Sequence, residues 1–293
     1  MVVKTSQLGQ KLPAIVALTR LNRPIGIYLL MWPMLWAFWF AAQGVPHVPT
    51  LCIFILGTVL TRSAGCAIND YADREFDAHV ARTRNRPLAT GALTSKDAIV
   101  ITVVLMAAAF ALVLLTNPLT IKLSFVALFL AVLYPFCKRY THLPQLVLGM
   151  AFACAVPMAF AAQTNSLPGS AWWLFIIAVI WATAYDTLYA MADRSDDLKI
   201  GIKSTAILFG RYDLILVATL QSITLGLLSY VGWLHQRGVV FYAGLIIAAG
   251  FAIYQLWISR RREPDPCLAA FLNNNWLGMS VFIALVLDYA LFP

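Results

Sequence analysis

The sequence predicts an all-α integral membrane protein with nine transmembrane helices. Three observations support this fold class: long apolar blocks, a scarcity of charge, and a one-sided distribution of lysine and arginine. Of the 293 residues, 61% are hydrophobic and only 12% are charged, whereas soluble domains average about 25% charged residues. A soluble core does not need so much continuous apolar sequence. We therefore expect a lipid bilayer to be the solvent of most of the chain.

Each apolar block has the length of a membrane-spanning helix, about 20 residues for about 30 Å of hydrocarbon. The short connectors between the blocks contain Gly, Pro and Asn, which end helices. We treat residues 1–293 as a single domain. The nine predicted spans are about 25–42, 48–68, 97–115, 119–137, 143–163, 171–192, 211–233, 239–259 and 269–291.

Lysine and arginine define the predicted orientation. With the N-terminus inside, all of the 21 Lys and Arg residues except Lys122 and Arg237 fall on one side of the nine-span topology. Cytoplasmic loops carry such an excess, so we expect a cytoplasmic N-terminus and an external C-terminus. The net charge of +8 follows largely from this topology, which disfavours nucleic acid as a partner. The absence of a transit-type extension favours the bacterial inner membrane.

Acidic residues are concentrated in two short segments. The chain has 13 Asp and Glu residues; four lie in residues 70–77 and four in residues 186–197. A carboxylate at the centre of a membrane helix costs about 2.5–3.5 kcal/mol, and like charges four residues apart on a helix repel each other. Such a concentration of acids requires a compensating partner.

Each acidic segment places oxygen-bearing side chains four residues apart, which puts them on one face of a helix. The two sets are Asn69, Asp73 and Asp77 (the N-terminal stripe) and Tyr189, Asp193 and Asp197 (the C-terminal stripe). Two facing stripes of oxygen ligands suit Mg²⁺, because this ion takes one or two protein carboxylates and shares its remaining positions with water and substrate phosphates. The pattern predicts a magnesium site on the cytoplasmic side.

Basic residues follow each acidic segment. Residues 82–88 hold three arginines and a threonine, and residues 199–205 hold two lysines, a serine and a threonine. Cations and hydroxyls beside carboxylates are suited to a metal-bridged diphosphate. The order recurs about 120 residues later, which indicates a pseudo-repeat of helix pairs around a central cavity. The alternatives are helix ends that snorkel, with Arg74 and Arg194 as partners of the acids, and positive-inside topology.

One arginine lies inside a predicted span. Arg62 precedes Asn69 by about two helical turns. A buried arginine at this position either pairs with an acid or contacts the diphosphate, and the sequence leaves both roles open.

These motifs resemble those of the UbiA superfamily of intramembrane prenyltransferases. The family pattern NDxxDxxxD is matched by Asn69, Asp70, Asp73 and Asp77, and the pattern YxxxDxxxD is matched by Tyr189, Asp193 and Asp197. Three longer stretches, residues 65–91, 134–145 and 184–210, resemble the branch that uses 4-hydroxybenzoate as acceptor. The likeness extends from Arg20 onward, and no motif position departs from the family pattern.

The resemblance implies a nine-helix bundle with a cavity open to the membrane. It also implies a Mg²⁺-dependent enzyme of ubiquinone biosynthesis that transfers a polyprenyl group from polyprenyl diphosphate to 4-hydroxybenzoate. The implied metal ligands are Asn69, Asp70, Asp73, Asp77, Asp193 and Asp197. The implied substrate contacts are Arg139 for the acceptor carboxylate, Arg74, Lys199 and Lys203 for the diphosphate, and Tyr189.

The predicted catalytic carboxylates are Asp73, Asp77, Asp193 and Asp197, with Asp193 as the acceptor of the ring proton. Magnesium and cations stabilise charge on the departing diphosphate, and the allylic cation attacks the ring carbon ortho to the phenol. Apolar walls exclude water that would quench this cation. One alternative is a family member with naphthoate, haem or homogentisate as acceptor. The other is a cation-coupled transporter, which acids grouped at one face and followed by basic residues disfavour.

Overall fold

The computed structural model describes residues 11–77 and 83–292, and of Phe76, Asp77, Pro135, Phe136, Lys138, Arg139 and Ile200 it describes the backbone alone. The described chain is helical and contains no β-strand, which confirms the predicted all-α fold class. In chain order the helices are α1 (residues 11–18), α2 (Ile25–Ala42), α3 (Val48–Asp77), α4 (Ser95–Val113), α5 (Pro118–Tyr140), α6 (Pro144–Ala153), α7 (Ala155–Thr164), α8 (Gly169–Ile200), α9 (Thr205–Phe209), α10 (Asp213–Leu234), α11 (Val239–Ile258) and α12 (Pro264–Leu291).

Local sequence explains where several helices begin and end. Thr94 caps α4 in a reciprocal capping box with Asp97, and the side chain of Asn117 caps α5 by accepting from the Thr120 amide; both satisfy amides that a helix start leaves without partners. Gly201 ends α8 with a positive φ of 72°, a conformation that glycine adopts without a Cβ clash. These capping residues begin and end helices at the short connectors between them.

Helices α6 and α7 form one span that is interrupted at Cys154. The interruption lies just before Pro157, which occupies the first turn of α7. A proline has no amide hydrogen and its ring clashes with the carbonyl four residues earlier, which here belongs to Ala153. The single predicted span at 143–163 is therefore a broken helix.

Eight of the described helical segments are long and apolar enough to cross a membrane. They coincide with eight of the nine predicted spans. The remaining prediction, at 119–137, falls on α5, whose apolar stretch Pro118–Tyr134 is shorter. The chain is therefore a multi-pass membrane protein, and the ninth span and the orientation of the termini stay predictions.

Large apolar side chains cover the outer surface of several helices. On α4, Val103 and Val104 are well exposed, and on α5 and α11 the same is true of Phe129 and Ile246. Exposure of so many large apolar side chains is unfavourable in water. Contact with the hydrocarbon of a lipid bilayer accounts for these exposed apolar side chains.

The chain divides into two compact units. Unit 1 contains the described residues of Met1–Ile27 and Ile53–Leu115, and unit 2 contains Tyr28–Cys52 and the described residues of Thr116–Pro293. The buried apolar cluster of unit 1 joins Leu18, Ala67, Leu93 and Ala98. In unit 2, α12 packs against α11 and α8, and α8 packs against α6 and α10. The prediction of a single domain stays a prediction.

Three consecutive asparagines of α12 connect it to three other helices of unit 2. The Oδ1 atoms of Asn274 and Asn275 accept hydrogen bonds from the indole nitrogens of Trp181 on α8, at 3.1 Å, and Trp32 on α2, at 3.0 Å. Asn273 Oδ1 accepts from Gln255 Nε2 of α11 at 3.1 Å. Successive residues of a helix point about 100° apart, so this triplet reaches three directions. It ties the bundle together with side-chain hydrogen bonds.

Replacing Asn274 with alanine should destabilise unit 2. Asn274 is fully buried, and the variant leaves the buried Trp181 N–H without its acceptor. We expect a loss of about 1–2 kcal/mol in the free energy of unfolding, measured by thermal unfolding of the purified protein in detergent. Asn275→Ala is the matched control, since the Asn275–Trp32 bond is only partly buried. An equal or larger loss of unfolding free energy for Asn275→Ala would contradict the expectation that the buried Asn274 bond contributes more to stability.

Candidate active site

The N-terminal stripe lies on the last turns of α3, which extends to Asp77 as the sequence predicted. Asn69 and Asp73 are half-buried and one turn apart, and Asn69 Nδ2 donates a hydrogen bond to Asp73 Oδ2 at 3.0 Å. The side chain of Asp77 lies outside the described residues. One face of α3 therefore brings an amide and a carboxylate together.

Asp70, the next residue after Asn69, is buried in unit 1 and only 2% exposed. Arg20 Nη2 donates to both of its carboxylate oxygens at 3.0 Å, and Arg86 Nη1 lies 3.1 Å from Oδ1. We call Arg20, Asp70 and Arg86 the N-terminal triad. The sequence predicted Asp70 as a metal ligand, but two guanidinium groups already bind its carboxylate. This geometry favours a structural role for Asp70.

The two arginines near this stripe that the sequence offers as candidate substrate contacts differ in their surroundings. Arg74 donates to the Tyr71 carbonyl at 2.8 Å and pairs with Glu75 at 3.0 Å, and both of these contacts are local to the end of α3. Arg62 is half-buried and faces Gly26 of α2, where an added Cβ would stand 2.6 Å from Arg62 Nε. Glycine at position 26 therefore leaves room for the Arg62 side chain.

The C-terminal stripe lies near the end of α8, as predicted. Tyr189, Asp193 and Asp197 are all half-buried. The ring of Tyr189 packs edge-on against Phe271 of α12 with the ring centroids 5.0 Å apart. Edge-to-face packing of aromatic rings is favourable. This contact fixes one end of the stripe against α12.

A second buried group of charges stands beside the C-terminal stripe, and sequence reasoning missed it. Asp213, the first residue of α10, is fully buried. It pairs with Arg194 of α8 and with Nε of Arg262, which is 2.9 Å from Asp213 Oδ1. Arg262 Nη2 also donates to the Arg211 carbonyl at 2.7 Å. We call Arg194, Asp213 and Arg262 the C-terminal triad; a lone aspartate at the start of an apolar span was its sequence signal.

The connector after α8 is held at its C-terminal end by Thr205. The backbone N–H of Thr205 donates to Gln145 Oε1 of α6 at 3.0 Å, and its hydroxyl lies 2.8 Å from the Thr187 hydroxyl of α8. The predicted diphosphate contacts both precede Thr205 in the chain: Lys203 Nζ donates to the Tyr140 carbonyl at 3.3 Å, and Lys199 Nζ pairs with Asp196 at 3.0 Å. Both lysines follow Asp197, the last residue of the C-terminal stripe.

The donor atoms of the two stripes suit a hard divalent cation. They are amide, phenol and carboxylate oxygens, the ligand type that Mg²⁺ and Ca²⁺ prefer, and those whose side chains the structure describes are half-buried. In either stripe, the side chains that the structure describes include no group of three His, Cys, Asp or Glu gathered to hold a metal ion. Arg139, the predicted acceptor contact, lies near the end of α5, and its side chain is outside the described residues.

Comparison with known proteins agrees with the resemblance seen in the motifs. The model of the UbiA prenyltransferase family matches residues 30–285. A protein of Shewanella piezotolerans named 4-hydroxybenzoate octaprenyltransferase is 53% identical over 285 residues, which cover 97% of this chain and 99% of that protein. A protein of the same name from Saccharophagus degradans is 56% identical over 281 residues, 96% of this chain and 94% of that protein.

Solved structures share the fold. A UbiA homologue from Aeropyrum pernix aligns with a TM-score of 0.78 over 89% of this chain and 97% of that chain, at 22% identity. A UbiA homologue from Archaeoglobus fulgidus bound to GPP and Mg²⁺ aligns with a TM-score of 0.70 over 93% and 99% of the two chains, at 18% identity. The helical architecture is therefore conserved at low sequence identity.

Loss of the Thr205 hydroxyl should loosen the connector after α8. Thr205→Val keeps the side-chain shape but removes the buried hydrogen bond to Thr187, so we expect a loss of about 0.5–1.5 kcal/mol in the free energy of unfolding. Thermal unfolding in detergent measures it. Lys199→Ala is the control: this side chain is 73% exposed, and a pair so exposed contributes about 0–1 kcal/mol. A Thr205→Val protein as stable as the wild type would show that the anchor is dispensable.

Proposed function

This chain belongs to the UbiA prenyltransferase family, and we propose that it transfers a polyprenyl group from polyprenyl diphosphate to 4-hydroxybenzoate. The bond forms at the ring carbon ortho to the hydroxyl, in a membrane step of ubiquinone biosynthesis. The observation that carries this proposal is the full-length identity of 53–56% to relatives named 4-hydroxybenzoate octaprenyltransferase. The motif residues on α3 and α8 support it independently.

We also propose the setting of the reaction. Nine spans with a cytoplasmic N-terminus would place both stripes on the cytoplasmic side of a bacterial inner membrane. The excess of lysine and arginine on that side supports this orientation. The proposed membrane location gives a polyprenyl chain access from the bilayer without passage through water.

The proposed metal ligands are Asn69, Asp73, Asp77, Asp193 and Asp197, holding Mg²⁺ that binds the diphosphate. Their oxygen donors have the chemistry that Mg²⁺ requires, and a solved UbiA homologue with the same fold is bound to GPP and Mg²⁺. Asp70 is not included, because the arginines of the N-terminal triad bind its carboxylate. When bound, Mg²⁺ would neutralise charge that develops on the leaving diphosphate.

The reaction breaks the allylic C–O bond of the prenyl diphosphate and forms a C–C bond to the ring. Arg62, Arg74, Lys199 and Lys203 are the proposed donors to the departing diphosphate, and Tyr189 a further substrate contact. Arg139 would bind the acceptor carboxylate. A carboxylate, proposed to be Asp193, takes the proton that the attacked ring carbon releases as aromaticity returns. Donors placed where charge develops usually contribute more to catalysis than any other single effect.

Substitution of the stripe carboxylates should abolish a magnesium-dependent transfer. We expect Asp73→Asn and Asp193→Asn each to lower kcat by at least about 100-fold. The measurement is the transfer of label from 4-hydroxybenzoate into the lipid phase, with polyprenyl diphosphate and Mg²⁺. Glu75→Gln is the matched control, since Glu75 lies in the same acidic segment but off the stripe and is 74% exposed. Label transfer by Asp73→Asn at the wild-type rate would refute the proposed metal site.

Arg139→Ala should impair use of the acceptor more than use of the diphosphate. A lost charge-assisted hydrogen bond is worth about 1.5–3 kcal/mol, so we expect KM for 4-hydroxybenzoate to rise about 10- to 100-fold while KM for the diphosphate is unchanged. Lys138→Ala removes the adjacent positive charge and serves as the control. A screen of naphthoate, haem and homogentisate accompanies the assay. Transfer to one of these, with none to 4-hydroxybenzoate, would overturn the proposed acceptor.

A further inference from the structure

We propose that the two buried triads are positioning elements that fix the rotation of α3 and α8, so that each stripe presents its oxygens correctly for metal binding. Each triad consists of one buried aspartate held between two arginines. This inference rests on the proposed function, because it concerns how the chain prepares the proposed magnesium site. It assigns Asp70 and Asp213 to positioning and not to metal binding.

The C-terminal triad joins three elements of unit 2. Arg194 belongs to α8, Asp213 begins α10, and Arg262 ends the turn between α11 and α12 in a left-handed conformation, with φ of 57°. Asp213 is fully buried, and its Oδ1 also accepts from the Leu214 amide at 2.6 Å. Both carboxylate oxygens therefore have partners within the protein. Asp213 is therefore positioned to hold Arg194, and protein groups already satisfy its carboxylate.

The N-terminal triad joins three elements of unit 1 in the same way. Arg20 lies in the turn after α1 with φ of 58°, Asp70 belongs to α3, and Arg86 lies in the connector that follows α3. Arg20 Nη1 also donates to the Ala17 carbonyl at 2.6 Å. The connector and the N-terminal turn are thus bound to α3 at the residue after Asn69.

The two triads have the same relation to their stripes. The helix residue that takes part, Asp70 or Arg194, directly follows a stripe member, Asn69 or Asp193. Consecutive residues of an α-helix point about 100° apart. An anchor at one of these positions therefore sets the direction in which the neighbouring stripe faces.

Mg²⁺ tolerates little change in ligand geometry, so an anchor that fixes the rotation of the helix matters for metal binding. A rotation of about 20° moves an oxygen that lies about 6 Å from the helix axis by about 2 Å. Mg²⁺ demands near-octahedral geometry with ligands at about 2.0–2.1 Å. A helix end that rotates by this amount loses the metal geometry, although its fold and its apolar packing remain. Loss of a triad should therefore weaken metal binding beyond its effect on stability.

The test of the C-terminal triad is metal binding by Asp213→Asn. The full chain in detergent is titrated with Mn²⁺ in the presence of inorganic diphosphate, and free Mn²⁺ is followed by electron paramagnetic resonance. We expect the Mn²⁺ concentration at half-saturation to rise about tenfold, in keeping with the 10- to 100-fold effect of losing groups that orient metal ligands. Excess Mg²⁺ should displace the bound Mn²⁺.

Asp288→Asn is the matched control for a purely structural effect. Asp288 is also fully buried in unit 2, accepts from the Gly238 and Phe241 amides at 2.8 and 3.1 Å, and pairs with Arg237 at 3.6 Å. It should lower the unfolding temperature and leave Mn²⁺ binding unchanged. An Asp213→Asn protein that binds Mn²⁺ like the wild type overturns the proposal.

A second, milder variant tests the same triad if Asp213→Asn does not fold. Arg262→Lys keeps the charge on a side chain that is one-third exposed, but it loses the planar fork of donors. We expect a smaller rise, about threefold, in the half-saturating Mn²⁺ concentration, and unchanged binding here again overturns the proposal. If the wild-type chain itself binds no Mn²⁺, the proposed metal site fails, whatever the triads do.

A double-mutant cycle tests the N-terminal triad and separates positioning from metal binding. If Asp70 acts through its arginines, Asp70→Asn and Arg86→Gln should shift Mn²⁺ binding to a similar extent, and the double variant should add little. If Asp70 is itself a ligand, the two effects add and that of Asp70→Asn is much the larger. This second result would overturn the positioning role of Asp70.

Discussion

A charge or an amide inside an apolar helix bundle must find its partner within the protein, since hydrocarbon supplies none. This constraint governs the polar interior of the chain. Asp70, Asp213 and Asp288 are all buried, and each is paired with arginine. The amide groups of Gln221, Gln255 and Asn273 form a hydrogen-bonded chain across three helices of unit 2. Buried polar groups therefore determine which helix faces meet.

The same constraint separates two kinds of aspartate. The buried ones take part in arginine pairs that bind a helix to another helix, a turn or a connector. The stripe members Asp73, Asp193 and Asp197 are half-buried. Breaking a buried pair is strongly destabilising, because it leaves an uncompensated charge, so the buried set belongs to the fold. The half-buried set contains the proposed metal ligands.

Sequence predicted those features that depend on local periodicity. Eight spans coincide with the predicted ones because hydropathy alone requires about 20 apolar residues, and both stripes lie on helices because their spacing of four fits only a helix. The triads could not be predicted from the sequence, since Asp70 pairs with an arginine 50 residues away and Asp213 pairs with one 49 residues away. No local pattern records such a partner. The break at Cys154 lay in the sequence as Pro157, but a proline alone does not say whether a membrane helix bends or breaks.

Comparing relatives at low and at high sequence identity separates the requirements of the fold from those of the acceptor. Chains that share only 18–22% of residues with this one keep its fold, whereas the named acceptor is shared by relatives at 53–56%. We therefore expect the proposed metal site to depend on the motifs and on the groups that orient them, because every prenyl transfer from a diphosphate has the same leaving group. Acceptor choice depends on a few contacts to one small ring, of which Arg139 is the proposed one. A triad with the proposed positioning role would therefore influence the diphosphate end of the reaction and leave the identity of the acceptor to other side chains.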